Sequence, residues 1–323
     1  MDGIPPVGSY TIDFGRIDIF RCGLNLRHTT RREGDSMKIG IIGAGKVGFT
    51  LGKFFSQGGI RITGYYSRNP ESARQAAAFT HSSFYDTLQP LIEESDAIFI
   101  TVPDGAITAV YQQVRQYQIP NKYICHCSGA LSAAGAFPAI GETGAHGFSI
   151  HPLFPISSKY EAYRELTGAF FCLEGEAAYL PVFQSLLEGL GCRTQIIPAG
   201  AKVRYHAACA MASNLVCALV QQSVDLLVSC GFPPELAADA LAPLIRSNVA
   251  HLLESGVRDA LTGPVERCDT ATVEKHLASM PDPELRELYR LLSLRLIGIA
   301  AEKHPHTDYT PMRERLTERR TES

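Results

Sequence analysis

The chain has no marked charge imbalance, no long run of consecutive apolar residues and no paired-cysteine framework. The net charge of -3 gives no electrostatic footprint for nucleic acid or for an anionic membrane, so neither partner is expected. No uninterrupted apolar run approaches the roughly 18 residues of a membrane span. Nine cysteines, an odd number scattered from Cys22 to Cys268, do not form a disulfide-like pattern. Scattered thiols of this kind suit a reducing compartment, here the cytoplasm, where each serves mostly as a small apolar residue. The composition, 45% hydrophobic and 20% charged, is that of an ordinary folded protein, and 323 residues suffice for two domains.

Residues 1–36 differ from the rest. They show no sustained apolar period, end in a basic polar run at 27–32 and precede a second methionine, Met37. They lack the continuous apolar segment of a secretory signal, and Pro5, Pro6, Gly8 and Gly15 oppose an amphipathic helix. They are expected to be a disordered or mis-annotated extension.

From Lys38 onward the pattern alternates. Strands are expected at 39–42, 61–66, 96–102, 122–127, 147–150, 170–173 and 194–197, with helices near 46–57, 70–79 and 105–117 between them. Strands alternating with helices imply an open, doubly wound, mostly parallel sheet, an α/β fold. After Pro198 the strands stop. An apolar-rich run at 201–230 predicts one helix about 45 Å long, followed by helices at 234–255, 270–279 and 283–302. The expected organisation is therefore the extension 1–36, an α/β domain 37–198, an all-α domain 199–316 and a disordered charged tail 317–323.

Gly43-Ala44-Gly45-Lys46-Val47-Gly48 directly follows the first strand and opens a helix. That is the context in which G-x-G-x-x-G grips a pyrophosphate: one glycine for the turn, one for close backbone approach, one for helix–strand packing. Free N–H groups at the helix start complete such a Rossmann cradle. Where NAD-binding proteins carry an acidic residue after the second strand, this chain has Ser67-Arg68-Asn69. A guanidinium there pairs with a 2′-phosphate, so NADP(H) is the expected cofactor. Val102 and Pro103 end the strand at 96–102 at its carboxyl edge, leaving room for a cofactor, and Asp104 reads as the N-cap of the next helix.

Hydride transfer needs a proton donor, groups that stabilise developing charge and an anchor for substrate. Ser128, after the strand at 122–127, and His151, before Pro152, stand at strand ends and are candidate substrate contacts. On the long helix Lys202, His206 and Ser213 fall within about 40° of one another at 100° per residue, with Asn214 at the stripe's edge. Lys202 and His206 are the candidate proton donors, and Asn214 a substrate contact. Arg267 can clamp a carboxylate, while Asp269 reads as a helix N-cap. Cys125-His126-Cys127 alternates across a strand with no second ligand pair at zinc spacing, so no metal site is expected.

The runs CHCSG (125–129), SIHPL (149–153), YHAACAMASN (205–214) and ALTGPVERCD (260–269) resemble those of a bacterial family of predicted oxidoreductases. In that family a Rossmann-like domain is joined to a C-terminal helical domain of unknown function. The likeness covers Met37 to about Leu316. It departs at Cys268, where the family pattern has glycine. The wider superfamily contains 6-phosphogluconate dehydrogenase, ketopantoate reductase and pyrroline-5-carboxylate reductase. The resemblance implies a C-terminal domain like that of 6-phosphogluconate dehydrogenase, a homodimer through the helices, and reduction of a small 2-oxo acid. Lys202 matches a ketopantoate reductase lysine, but His206 stands where those enzymes have asparagine. The expected function is NADPH-dependent reduction of a small carboxylate-bearing carbonyl or imine. The alternatives are a non-catalytic NADP(H)-sensing dimer and an NAD-linked 3-hydroxy acid dehydrogenase.

Overall fold

The computed structural model describes residues 37–280 and 282–318; the extension 1–36 and residues 319–323 of the expected tail lie outside them. Of the described residues, those up to Leu215 form one compact unit and those from Val216 another.

The first unit is built on one eight-stranded sheet. Its strands are β1 (Lys38–Ile42), β2 (Arg61–Tyr66), β3 (Ser83–Phe84), β4 (Ala97–Ile100), β5 (Tyr123–His126), β6 (His146–Pro152), β7 (Phe170–Gly175) and β8 (Arg193–Ile196). Their spatial order is β3-β2-β1-β4-β5-β6-β7-β8. All neighbours are parallel except β6 and β7. The expected doubly wound, mostly parallel sheet is therefore present, with β3 as a short edge strand that the hydrophobic pattern did not reveal.

Both faces of the sheet are covered, which is why its central strands read as continuous apolar runs. The two-residue pleat divides them. Ile39, Ile41, Ala97 and Phe99 join one core with α1 (Lys46–Gln57), α2 (Pro70–Thr80) and α6 (Leu180–Gly189). Ile42, Ile98 and Ile100 join the other, with α3 (Leu88–Glu94), α4 (Asp104–Val114) and α5 (Ala133–Ala136). Phe49, Phe55, Phe99, Phe148 and Phe183 are fully buried in the first core, each contributing about 1.5–3 kcal/mol of burial.

The expected single helix over 201–230 is broken. It divides into α7 (Lys202–Ala212) and α8 (Asn214–Ser229), because Ser213 leaves helical geometry at φ -127°, ψ -78°. The Ser213 hydroxyl donates back to the Cys209 carbonyl at 2.7 Å. In length and composition alone the stretch Ala199–Ser229 would pass for a membrane span, although polar residues interrupt its apolar runs. α7 belongs to the compact unit of the sheet.

The second unit is helical: α9 (Pro234–Ala260, interrupted at Gly256), α10 (Thr270–Ser279), α11 (Pro283–Lys303) and α12 (Thr310–Thr317), after α8. Its core holds Val265, Val273, Ile297, Ala300, Tyr309, Met312 and Leu316. α12 adds a helix to those expected within 199–316, with Met312 and Leu316 buried beneath its charged face. Asp269 caps α10 as expected, accepting from the Thr272 N–H at 3.0 Å.

Candidate active site

The loops at the carboxyl ends of β2, β1, β4, β5 and β6 are neighbours in that order along one edge of the sheet. Between β1 and β4 the strand order reverses, which opens the crevice where open α/β sheets take ligands.

The glycine loop has the form its motif requires. Gly43, at φ 108°, donates its N–H to the Tyr66 carbonyl at 2.8 Å, and its own carbonyl accepts from Thr101 Oγ1 at 2.8 Å. A Cβ on Gly48 would come within 2.2 Å of the Gly43 carbonyl oxygen, whereas one on Gly45 would meet nothing within 4 Å. The space above Gly45 is thus open, and no side chain caps the start of α1. This uncapped helix N-terminus over an open glycine cradle fits a pyrophosphate. Ala44 and Gly48 are buried, Val47 half-buried, and Gly45 and Lys46 exposed. After β2, Ser67 is half-buried and Arg68 exposed, with no hydrogen bond or ion pair for the guanidinium among the described residues. Asn69 caps α2, accepting from the Glu71 N–H. Val102 and Pro103 lead into α4. Asp104 is the first residue of that helix and Pro103 its N-cap, so the expected capping role of Asp104 does not hold. Its carboxylate instead accepts from Ser128 Oγ at 2.6 Å.

Ser128 is a hub. Its hydroxyl also accepts from the N–H groups of Ala130 and Leu131, so the turn after β5 is tied to α4. That uses the hydroxyl's donor and both acceptor positions, which removes Ser128 Oγ from direct substrate binding. Its carbonyl accepts from Ser149 Oγ at 3.1 Å and from Lys202 Nζ at 2.8 Å. Lys202 also donates to Ser149 Oγ at 2.6 Å. Lys202 is 1% exposed, at the first turn of α7. Burial lowers its pKa, against the weaker opposing pull of Cys172, Glu174, Cys127 and Asp104. The polar stripe expected of Lys202, His206 and Ser213 on one continuous helix does not form. Lys202 is buried, His206 is exposed, and Ser213 breaks the helix with exposed Asn214 after it.

His151, near the end of β6, meets α7 twice. Its Nδ1 lies 2.7 Å from Tyr205 Oη, and its ring stands edge-on to His206 at 6.2 Å between centroids. A Cβ on Gly129 would lie 2.5 Å from His206 Cδ2 and 3.0 Å from His151 Nε2, so only glycine fits beneath the two imidazoles. Burial first, then Lys202 and His206, push the His151 pKa down to about 4. His126 is fully buried, accepts the Ser128 N–H at Nδ1, and is likewise pushed down to about 4 by burial and Lys202. Ser128, His151, Lys202 and His206 are thus brought together around Gly129. Arg267 belongs to the helical unit, exposed on the turn before α10.

Residues 38–128 match the family described as NADP oxidoreductase coenzyme F420-dependent, and residues 169–296 match a domain of unknown function, DUF2520. The resemblance is borne out. With it comes the expected class, an oxidoreductase. Protein TM1727 from Thermotoga maritima is 28% identical, with a TM-score of 0.67 over 83% of this chain and 100% of its own. The NADP oxidoreductase candidate BF3122 from Bacteroides fragilis is 23% identical, with a TM-score of 0.62 over 81% of this chain and 98% of its own. A reductive aminase from Aspergillus terreus, in complex with NADPH and ethyl-5-oxohexanoate, shares the fold at 15% identity and a TM-score of 0.53, over 87% and 93%. No curated protein matches the chain.

Against this oxidoreductase frame, sequence reasoning missed two partners of its candidates, Ser149 and Tyr205. Both had a signal. Ser149 is two residues before His151 on a strand and so shares its face, and Tyr205 lies one helical turn from Lys202. Neither pairing was legible until β6 and α7 were seen side by side.

Proposed function

We propose that this oxidoreductase is an NADPH-dependent reductase of a small carboxylate-bearing carbonyl or imine. The observation that carries the reading is a buried lysine, Lys202, held at the same sheet edge as an open glycine cradle. The backbone of Gly43–Gly48 and the first turn of α1 would hold the pyrophosphate, and Arg68 with Ser67 the 2′-phosphate. Bound NADPH would supply a hydride to the substrate carbon and leave as NADP+. Reduction also needs a proton on the substrate oxygen or nitrogen. Lys202 has three ammonium N–H groups, and two are committed to Ser128 O and Ser149 Oγ. The third is the proton source in this reading, with its lowered pKa easing the transfer. His206 lies at the exposed rim of the same cluster, and Asn214 is assigned to the substrate carboxylate. Domains at 37–198 and 199–316 remain our functional division into cofactor and substrate halves.

The test is oxidation of NADPH, followed by its absorbance, with a panel of 2-oxo acids and cyclic imino acids. Turnover of a panel member supports the reading. Tight NADPH binding without turnover of any would favour the sensing role instead.

We also assign the helical unit to a homodimer interface. α8 buries none of its residues and α9 only Ala237 and Ala260, while Leu219, Leu236, Leu244, Leu253 and Val257 are exposed. Such apolar surface calls for a partner, and Gln221 and Asp225 among these residues suit a protein face better than lipid. Light scattering on the purified protein should give twice the chain mass, and Leu244→Glu with Leu253→Glu should halve it. Monomer in the parent, or partition into vesicles, would overturn the assignment.

A further inference from the structure

Tyr205 occupies a position that the proposed proton transfer does not use. It reaches from α7 to His151 Nδ1 at 2.7 Å, with the ring of Tyr205 edge-on to the imidazole. A phenol is a better hydrogen-bond donor than a neutral imidazole N–H, and an imidazole nitrogen is a better acceptor than a phenol oxygen. The favoured direction of this bond is therefore from Tyr205 Oη–H to His151 Nδ1. With Nδ1 accepting, the one hydrogen of a neutral imidazole must sit on Nε2. Nε2 lies beside Gly129, where a Cβ would approach it to 3.0 Å and would meet His206 Cδ2 at 2.5 Å.

We propose that Tyr205 is a positioning residue that locks His151 in the Nε2–H tautomer, making it a fixed, uncharged hydrogen-bond donor to the oxygen or nitrogen that is reduced. The inference rests on the reductase reading for the identity of that acceptor, but not for the tautomer itself.

The surroundings maintain both partners. His151 is faced by Lys202, His206 and Asp104, and the net effect of burial and these charges is to keep it neutral at physiological pH. Tyr205 is packed by the thiols of Cys172 and Cys209, and burial raises its pKa, so the phenol keeps its proton. Placing a second cation beside Lys202 would be costly, whereas a neutral N–H adds a donor without adding charge. This divides the labour at the cleft: Lys202 carries the transferable proton, and His151 stabilises the negative charge that develops on the acceptor.

The experiment is nitrogen-15 NMR of histidine-labelled full-length protein, without cofactor or substrate, with the His151 signals identified by their loss in His151→Asn. At pH 7.5 the expected pattern is a protonated Nε2 and a bare, hydrogen-bonded Nδ1, unchanged down to about pH 5.5, within the range set by the lowered pKa. Tyr205→Phe should give a mixture of tautomers, and should lower kcat about tenfold, the worth of one well-placed hydrogen bond, with NADPH affinity unchanged. A protonated Nδ1, or an imidazolium at pH 7.5, overturns the proposal even if Tyr205→Phe fails to fold. The expected tautomer in a protein that turns over no substrate would uphold Tyr205's positioning role and refute the reductase reading alone.

Discussion

Lys202 Nζ stands 2.6 Å from Ser149 Oγ, and both share the Ser128 carbonyl as acceptor. A cation from the helix α7 is thereby fixed to the ends of two parallel strands, β5 and β6. Ser149 has no other visible task than to orient that ammonium.

Lys202→Ala is therefore expected to lower kcat by about 10²–10⁴, the usual worth of a general acid. The dissociation constant for NADPH should stay within about twofold, since Lys202 is not among the cradle residues. Ser149→Ala should give a smaller loss in kcat, about tenfold, by loosening the same group. Steady-state kinetics beside fluorescence titration of NADPH will separate the two parameters. Parallel loss of binding and turnover in Lys202→Ala would show that the lysine serves the cofactor rather than the proton.

His126 makes the fold acid-sensitive. Its pKa is near 4 when folded, against an ordinary value near 6.5. Between those values the unfolded chain binds more protons, so this contribution to stability is complete above pH 6.5 and is lost as pH falls toward 4. For a fully buried ring the span amounts to about 3 kcal/mol. Urea unfolding midpoints should drop between pH 7 and pH 4.5, and less so in His126→Gln. Equal drops in both proteins would assign the acid sensitivity to other groups.

The parallel sheet was legible because β4 is apolar throughout and β1 is apolar after Lys38, and because the glycine motif sits at a strand end. The helical half was read less well. Ser213 looks unremarkable in an apolar run, yet the backbone leaves helical geometry there and α7 ends. α12 reads as charged because only Met312 and Leu316 face inward in an eight-residue helix. At the site, single residues were found but not their bonds. Asp104 was assigned to its own helix, and Ser128 to substrate, because their 2.6 Å contact joins positions 24 residues apart. Side-chain pairing across elements leaves no local trace in sequence.

Arg68 tests the choice of cofactor. Its exposed guanidinium, without a protein partner among the described residues, is free to meet a phosphate. A charge-assisted bond of about 1.5–3 kcal/mol predicts that Arg68→Ala weakens NADPH binding by about 10–100-fold and leaves NADH binding nearly unchanged. Calorimetric titration of both nucleotides gives the ratio directly. Equal effects on the two would remove Arg68 from the 2′-phosphate.

Cys268 lies in the turn before α10 at φ 56°, a left-handed conformation that disfavours any residue with a Cβ. The strain costs about 1–2 kcal/mol. Cys268→Gly removes it, at the expense of about 0.4–1 kcal/mol of extra freedom in the unfolded chain and a weak bond from Sγ to the Asp308 carbonyl at 3.5 Å. The balance favours the glycine variant by about 0.5 kcal/mol, a rise in Tm of about 2–3 °C for a domain of this size. Cys268→Ala keeps the Cβ and loses the thiol, so it should melt at or below the parent temperature. Calorimetric scans of the three proteins decide the matter, and an alanine variant as stable as the glycine one would mean that the thiol, not the backbone, is the source of strain.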